Sequence, residues 1–256
     1  MTAGATRWSS GDGDLGQLRH TLARDLMVLA ELHAKAPRRD TLSALWRRCY
    51  DGVLGFKLSS DGGRKAVGLF CEGLTDIPTC LDRETLARLE SAYRELYLNE
   101  ESGAFPFESA WCGDAASGER NAIDGIYAWQ RRSGFVDEVG SYRCADHLVG
   151  QLRLLAHLVS PAGASMPFAD IGLFLDQHLL CWVERFAARV SLISTIRWYQ
   201  GIAALTAAYI VDLRALAGRL NDQASARLQS PEWAMACVRS DALAQPAVPP
   251  VEQKTV

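Results

Sequence analysis

The sequence predicts an all-α protein with a single globular helical domain, and two observations support this prediction. Apolar residues recur at helical spacing along most of the chain, while the two-residue alternation of half-buried strands is scarce. The 256 residues are 48% hydrophobic and 22% charged, the balance of a soluble globular chain. The sequence has no internal repeat of the kind that would indicate a solenoid. We therefore expect one helical bundle, either in one piece or with two lobes.

Eight helices are predicted from this spacing, each bounded by a capping residue, a glycine, a proline or a polar segment. In chain order they are 15–36, ended by Pro37; a second capped by Asp40 or Thr41; 64–72, after a connection at Gly62 and Gly63; one capped by Asp82; 121–132; 146–159; one from Asp170 through Phe186; and 198–220. The first helix is expected to bury Leu15, and the second is expected to bury Val53.

The two ends of the chain are expected to lie outside this bundle. Residues 1–14 are rich in Gly, Ser, Thr and Asp and lack the apolar stretch of a signal peptide. From residue 229 onward, four prolines interrupt any helix. The predicted organisation is a flexible N-terminus over 1–14, a helical domain over 15–228 and a mobile Pro-rich tail over 229–256.

Charge and cysteine content argue against several classes of protein. With 27 Lys and Arg against 30 Asp and Glu, the net charge is −3, without the basic excess of a nucleic-acid-binding protein. The seven cysteines are odd in number and widely spaced, so we expect reduced thiols and a cytoplasmic location.

The longest charge-free apolar segment, 198–211, is shorter than the roughly 20 residues that cross a bilayer. It is predicted to be a core helix, without stable membrane insertion.

Common catalytic and metal-binding motifs are absent from the sequence. It contains no phosphate-binding loop, no dinucleotide fingerprint, no His-Glu-x-x-His and no nucleophile elbow. The five histidines are not paired with one another at the spacing that helical metal sites use. We therefore predict no enzymatic activity, no metal and no cofactor.

Two groups of residues nevertheless indicate a functional surface. Asp146 and His147 open a leucine-rich helix, where Asp146 is either a helix cap or a partner-binding group and His147 is either exposed or a buried structural histidine. Tyr93 precedes an aromatic loop over 105–111. This loop either packs over the core or forms a groove for an amphipathic or extended peptide, whose arginines would pair with acidic residues.

Three sequence motifs follow one another in a characteristic order. A Tyr-x-x-Leu-aromatic helix end at 93–97 is followed by a Pro-aromatic-Glu-Ser loop at 106–111. Asp-His-Leu comes next at 146–148, and then a helix with Phe-Leu, His-Leu, Trp and Phe at 174–186, followed by Trp-Tyr at 198–199. This ordered set resembles the TorD/DmsD/NarJ family of cytoplasmic chaperones for molybdenum-containing redox enzymes.

The resemblance implies a TorD-like helical bundle that works as a non-enzymatic chaperone. It implies binding of the twin-arginine signal peptide, and of the apo form of a molybdopterin oxidoreductase catalytic subunit, until the cofactor is inserted and export is permitted. Gln151 stands where members commonly have Glu, which removes a charge that could pair with a client arginine. Monomers and domain-swapped dimers are both consistent with the resemblance. The peptide-binding residues it implies are Tyr93, Pro106, Glu108, Ser109, Trp111, Asp146 and His147.

Two other classes of function remain open from the sequence. A small helical enzyme could use Asp146, His147 and Glu108 as acid–base groups, because a histidine beside carboxylates can be tuned toward neutral pH. A helical regulatory module could bind a protein or DNA, although the net charge argues against DNA.

Overall fold

The protein is described by a computed structural model that covers residues 12–48, 52–99, 103–112, 117–136 and 145–228. These residues contain no β-strand, which confirms the all-α prediction, although an isolated bridge joins Phe107 to His147. The described helices are α1 Asp12–Ala34, α2 Arg39–Arg48, α3 Asp61–Thr75, α4 Arg83–Tyr97, α5 Ser117–Ser133, α6 Leu148–Val159, α7 Phe168–Gln177, α8 Val183–Ile193 and α9 Arg197–Leu228, with short 3-10 helices at Glu108–Ala110 and Leu179–Cys181. The predicted tails lie outside the described residues, except that α1 already begins at Asp12.

Helix α9 forms the centre of the bundle and packs against α1, α3, α7 and α8. Its contact with α3 is so close that a Cβ atom on Gly201 would lie 2.6 Å from the Cα of Phe70. α9 is long and apolar enough to cross a membrane, but 67% of its most apolar window is buried within the fold. This is the burial expected of a core helix, as the sequence predicts.

Helices α1 and α6 form the second main contact of the bundle. The Arg19 side chain donates to the carbonyl oxygens of Val159 and Met166, both at 3.0 Å, and so satisfies a carbonyl that the end of α6 leaves without a helical partner. Leu15 lies one turn beyond this contact and is 39% exposed. The prediction that Leu15 is buried was wrong, because α6 ends at the level of Arg19.

A non-helical segment over 52–60 is held to the bundle by two buried aspartates. The Asp25 carboxylate accepts from the backbone N–H groups of Gly55 and Phe56, at 2.9 and 2.7 Å. Asp212 accepts from the N–H groups of residues 59 and 60, at 2.8 and 3.3 Å. Val53, predicted on the second helix, lies in this segment and is partly buried against the core.

Helix α3 begins earlier than predicted. The Ser60 hydroxyl caps it by accepting from the Gly63 N–H at 2.8 Å, so Gly62 and Gly63 belong to its first turn and not to the connection before it. A Cβ atom on Gly63 would lie 2.6 Å from that of Leu58, which explains a glycine inside a helix. The predicted cap at Asp82 is confirmed, because its carboxylate accepts from the Thr85 N–H at 2.7 Å.

The single helix predicted from Asp170 through Phe186 is broken in the structure. α7 ends at Gln177, and His178 has φ −121° and ψ −79°, outside the helical region. A 3-10 turn follows, and α8 begins at Val183. The prediction was wrong because a tertiary contact of the His178 side chain, described below, decides the backbone here.

Candidate functional site

The aromatic loop, residues 103–112, is fastened to the N-terminal end of α6. The Glu108 N–H donates to the Asp146 carbonyl oxygen at 3.1 Å, and the Leu148 N–H donates to the Pro106 carbonyl oxygen at 2.7 Å. Asp146 adds a side-chain contact, since its Oδ2 accepts from the Ser109 N–H at 3.0 Å. Asp146 is fully buried, so its carboxylate holds the loop and does not cap α6.

His147 provides the cap of α6. Its Nδ1 accepts from the Val149 N–H at 3.1 Å, and its ring lies edge-on to Phe107 with the centroids 4.9 Å apart. The side chain is buried, and this desolvation lowers the pKa of His147 to about 4. His147 is therefore neutral at pH 7, with the lone pair of Nδ1 already used, which makes it a poor general base.

Glu108 joins three parts of the fold. It is only 4% exposed, and its Oε2 accepts from Gln151 Nε2 on α6 at 2.7 Å. The Nδ1 of His178 lies 3.2 and 3.1 Å from the two carboxylate oxygens. This contact accounts for the break between α7 and α8, because His178 turns out of the helical line to reach the loop.

The same cluster contains two buried acceptors without a donor. Within the part of the chain that the structure describes, no donor lies within hydrogen-bond distance of Asp146 Oδ1 or Gln151 Oε1, and both side chains are fully buried. A buried polar atom left in this way costs about 1–3 kcal/mol. A ligand that carries N–H donors would remove that cost.

The aromatic residues of the site lie on the outer side of this cluster. Trp111 is half-buried, donates its indole N–H to the Phe105 carbonyl oxygen at 2.7 Å and meets the Phe186 ring edge-on. Tyr93 on α4 connects to the loop through ring contacts, from Tyr93 to Tyr97, then to Phe186. Part of the loop therefore packs over the core, as one of the two interpretations of the sequence expected.

The structure brings most of the predicted site residues together. Five of them meet at the junction of the loop with α6: Pro106, Glu108, Ser109, Asp146 and His147. Trp111 lies at the end of the loop and contacts Phe186, and Tyr93 is connected to Phe186 only through Tyr97. Sequence reasoning did not include His178 among the site residues, and it considered Gln151 only for the charge that it removes. Their signal was a polar side chain on an otherwise apolar helix face. Among the described residues, no three His, Cys, Asp or Glu side chains are arranged to hold a metal ion.

A comparison with protein families finds a match for part of the chain. Residues 64–188 match the family model described as the nitrate reductase delta subunit, and the match contains the loop, α6 and the break at His178. Over these residues the chain is similar to the NarJ/TorD-type chaperone family, which confirms the resemblance found in the sequence. No curated protein matches the chain. The family supports a role in the maturation of a nitrate reductase-type molybdoenzyme.

Proposed function

We propose that the protein is a cytoplasmic chaperone that binds the twin-arginine signal peptide and the apo form of a molybdopterin oxidoreductase catalytic subunit. It would assist cofactor insertion before export and would have no enzymatic activity. One observation carries this proposal: two buried oxygen atoms under the aromatic loop, Asp146 Oδ1 and Gln151 Oε1, accept no hydrogen bond from the described residues.

An arginine side chain suits these acceptors. Its guanidinium group offers five N–H donors in a planar fork and carries a positive charge, which Asp146 would stabilise. The neighbouring aromatic side chains of Phe105, Phe107 and Trp111 are only partly buried and would contact the apolar residues of the peptide. Positive charge and apolar contact are the two properties that a twin-arginine leader combines.

Entry of the arginine requires the loop to move. Both acceptors have essentially no exposed surface, so the loop must separate from α6 before a guanidinium reaches them. That separation breaks the backbone contacts of Glu108 and Leu148 and the contact of Ser109 with Asp146. In this proposal these hydrogen bonds keep the site closed until the peptide binds and replaces them.

These contacts give no support to the alternative function, a small helical enzyme that uses acid–base groups. His147 is neutral and caps a helix, and Glu108 is enclosed between Gln151 and His178. A family of chaperones likewise favours binding over catalysis.

The proposal is tested by calorimetric titration with a twin-arginine leader peptide and with the same peptide carrying glutamine at both arginines. Saturable binding of the first peptide and markedly weaker binding of the second are expected. Asp146→Asn keeps an acceptor for the Ser109 N–H but removes the charge, and should weaken leader binding about tenfold. Asp212→Asn is the matched control, a buried aspartate that holds a different segment, and should bind as the wild type. Equal affinity for the two peptides would overturn the proposal.

A second pair of variants tests the aromatic surface. Trp111→Ala should weaken leader binding with the helical circular dichroism unchanged. Trp46→Ala is its control, because Trp46 is also half-buried and also donates its indole N–H to a backbone carbonyl, that of Leu74 at 3.2 Å. If both tryptophan variants bind the leader like the wild type, the aromatic loop is not the peptide-binding surface.

A further inference from the structure

Two cysteine side chains meet at the edge of the loop. Cys112 is the last described residue of the loop, and Cys181 ends the 3-10 turn that follows His178. Their Sγ atoms are 3.0 Å apart, although 69 positions separate the residues in the sequence. Both residues are partly buried and pack against the edge of the core. Sequence spacing gave no indication of this pair.

We propose that Cys112 and Cys181 form a reversible disulfide bond, with a low-molecular-weight disulfide such as oxidised glutathione as the oxidant. The bond would tie loop 103–112 to the break between α7 and α8. The consequence for peptide binding rests on the proposed function, in which the loop has to move; formation of the bond does not.

The reaction takes two exchange steps. The Cys112 thiolate attacks one sulfur of oxidised glutathione, which forms a mixed disulfide and releases one glutathione thiolate. The Cys181 thiolate then attacks the Cys112 sulfur and releases the second glutathione. Two electrons pass from the protein to glutathione, and the two thiol protons end on the released glutathione molecules. Reduced glutathione or thioredoxin-type dithiols reverse the reaction, as expected for a transient cytosolic disulfide.

The surroundings of the two sulfurs favour Cys112 as the first nucleophile. Nη2 of Arg185 lies 3.7 Å from Cys112 Sγ and donates to it. Burial raises the pKa of the Cys181 thiol, which argues against Cys181 as the first nucleophile. In the second step its sulfur already lies 3.0 Å from its target, the Cys112 sulfur. Closing the bond shortens the sulfur–sulfur distance from 3.0 Å to about 2.05 Å, a movement of about 1 Å.

The bond would act on the loop directly. Four residues before Cys112, Glu108 already contacts His178, which lies three residues before Cys181. A covalent bond beside this contact prevents the loop from leaving α7 and α8. The oxidised protein would therefore keep the peptide site closed, and reduction would allow it to open.

The first measurement is peptide mapping by mass spectrometry after the full-length protein is incubated with oxidised glutathione near neutral pH. A linked peptide containing Cys112 and Cys181, lighter by two hydrogen atoms and released by dithiothreitol, is expected. Cys80→Ser, a control at an exposed cysteine, should still form this link, and Cys112→Ser should not. Stable glutathione adducts at both cysteines without the link would overturn the proposal.

The second measurement separates this inference from the proposed function. Amide hydrogen exchange over residues 109–112 should be slower in the oxidised wild-type protein than in the reduced protein, with no peptide present; equal exchange would overturn the restraint of the loop. The leader peptide should bind the oxidised form at least tenfold more weakly than the reduced form, and equal binding by both would overturn control of the site. If neither form binds the leader, the proposed function fails, while mapping and exchange still decide whether the disulfide forms and restrains the loop.

Discussion

At the scale of a single residue, Gln151 supplies a hydrogen-bond donor to two acceptors of the site. Its Nε2 donates to Glu108 Oε2 and to the Asp146 carbonyl oxygen, at 2.7 and 3.1 Å. A carboxylate at this position would face both acceptors with no donor to offer. The departure from the Glu that the resemblance implies is therefore matched to the buried carboxylate of Glu108.

Gln151→Glu should destabilise the protein by about 3 kcal/mol at neutral pH, because two carboxylates would share one buried site. A single proton between them restores a hydrogen bond, so the pKa of one of the pair is raised in the folded variant. Stability that depends on this proton is present at low pH and is lost as the pH rises through the raised pKa. Urea unfolding at pH values of about 5 and about 7.5 should show a larger deficit at the higher pH.

The matched control for this variant is Gln200→Glu. Gln200 also donates through Nε2 to two acceptors, the carbonyl oxygens of Ser194 and Ser191 at 2.7 and 3.3 Å, and neither is a carboxylate. Gln200→Glu should therefore lose less unfolding free energy than Gln151→Glu. A Gln151→Glu deficit that does not grow with pH would contradict the argument.

His33 makes stability sensitive to acid. It is fully enclosed, with Nε2 2.9 Å from Thr206 Oγ1, and burial lowers the pKa of His33 to about 3. The unfolded chain binds this proton near pH 6.5, so stability is complete above about 6.5 and is lost as the pH falls from there toward 3. At a pH of about 5 the loss through His33 is about 2 kcal/mol. His33→Gln should have a shallower fall in unfolding free energy between pH values of about 6.5 and 5 than the wild type, whereas His20→Gln, at an exposed position, should not. An unchanged pH dependence in His33→Gln would exclude this origin.

At the scale of helices, the spacing of apolar residues predicts a helix correctly where burial of one helix face determines it. α1, α4, α6 and α9 follow the apolar spacing closely, and Asp82 caps α4 as its position suggests. The break at His178 could not be predicted, because apolar residues continue at helical spacing across it and its cause is a carboxylate 70 residues away. The same holds for Asp146, whose carboxylate serves the loop while His147 caps the helix. Family motifs located the loop, but its burial follows from contacts between distant segments.

The contact of α3 with α9 depends on glycines. Gly201→Ala would place a Cβ atom 2.6 Å from the Cα of Phe70 and 3.0 Å from the Leu69 carbonyl oxygen. Because both obstacles are backbone, the helices must move apart, and we expect a destabilisation of about 2 kcal/mol in urea unfolding. Gly68→Ala is the control within α3: nothing lies within 4 Å of its Cβ position, so the better helix propensity of alanine should stabilise the protein by about 0.5–1 kcal/mol. A Gly201→Ala variant as stable as the wild type would contradict this packing.

At the scale of the whole molecule, one continuous core extends from α1 to α9. The candidate site takes its parts from three regions that this core holds together: the loop, the start of α6 and the break after α7. None of these regions forms the site alone. The site should therefore be lost together with the bundle, in a single cooperative transition.

The limits of the folding unit follow from the end of α9. Leu216 and Ala217 are buried, whereas residues 221–226 are exposed. We propose that the predicted domain, 15–228, extended to Asp12 where α1 begins, holds everything that the fold needs. A chain of residues 12–228 should have the urea midpoint and the leader affinity of the full-length protein. A chain that ends at Val211 loses the buried Leu213 and Leu216, together with Asp212, which holds the segment before α3, and should not unfold cooperatively. A clearly lower midpoint for the 12–228 chain would show that residues outside it contribute to the fold, and cooperative unfolding of the shorter chain would exclude the central role of α9.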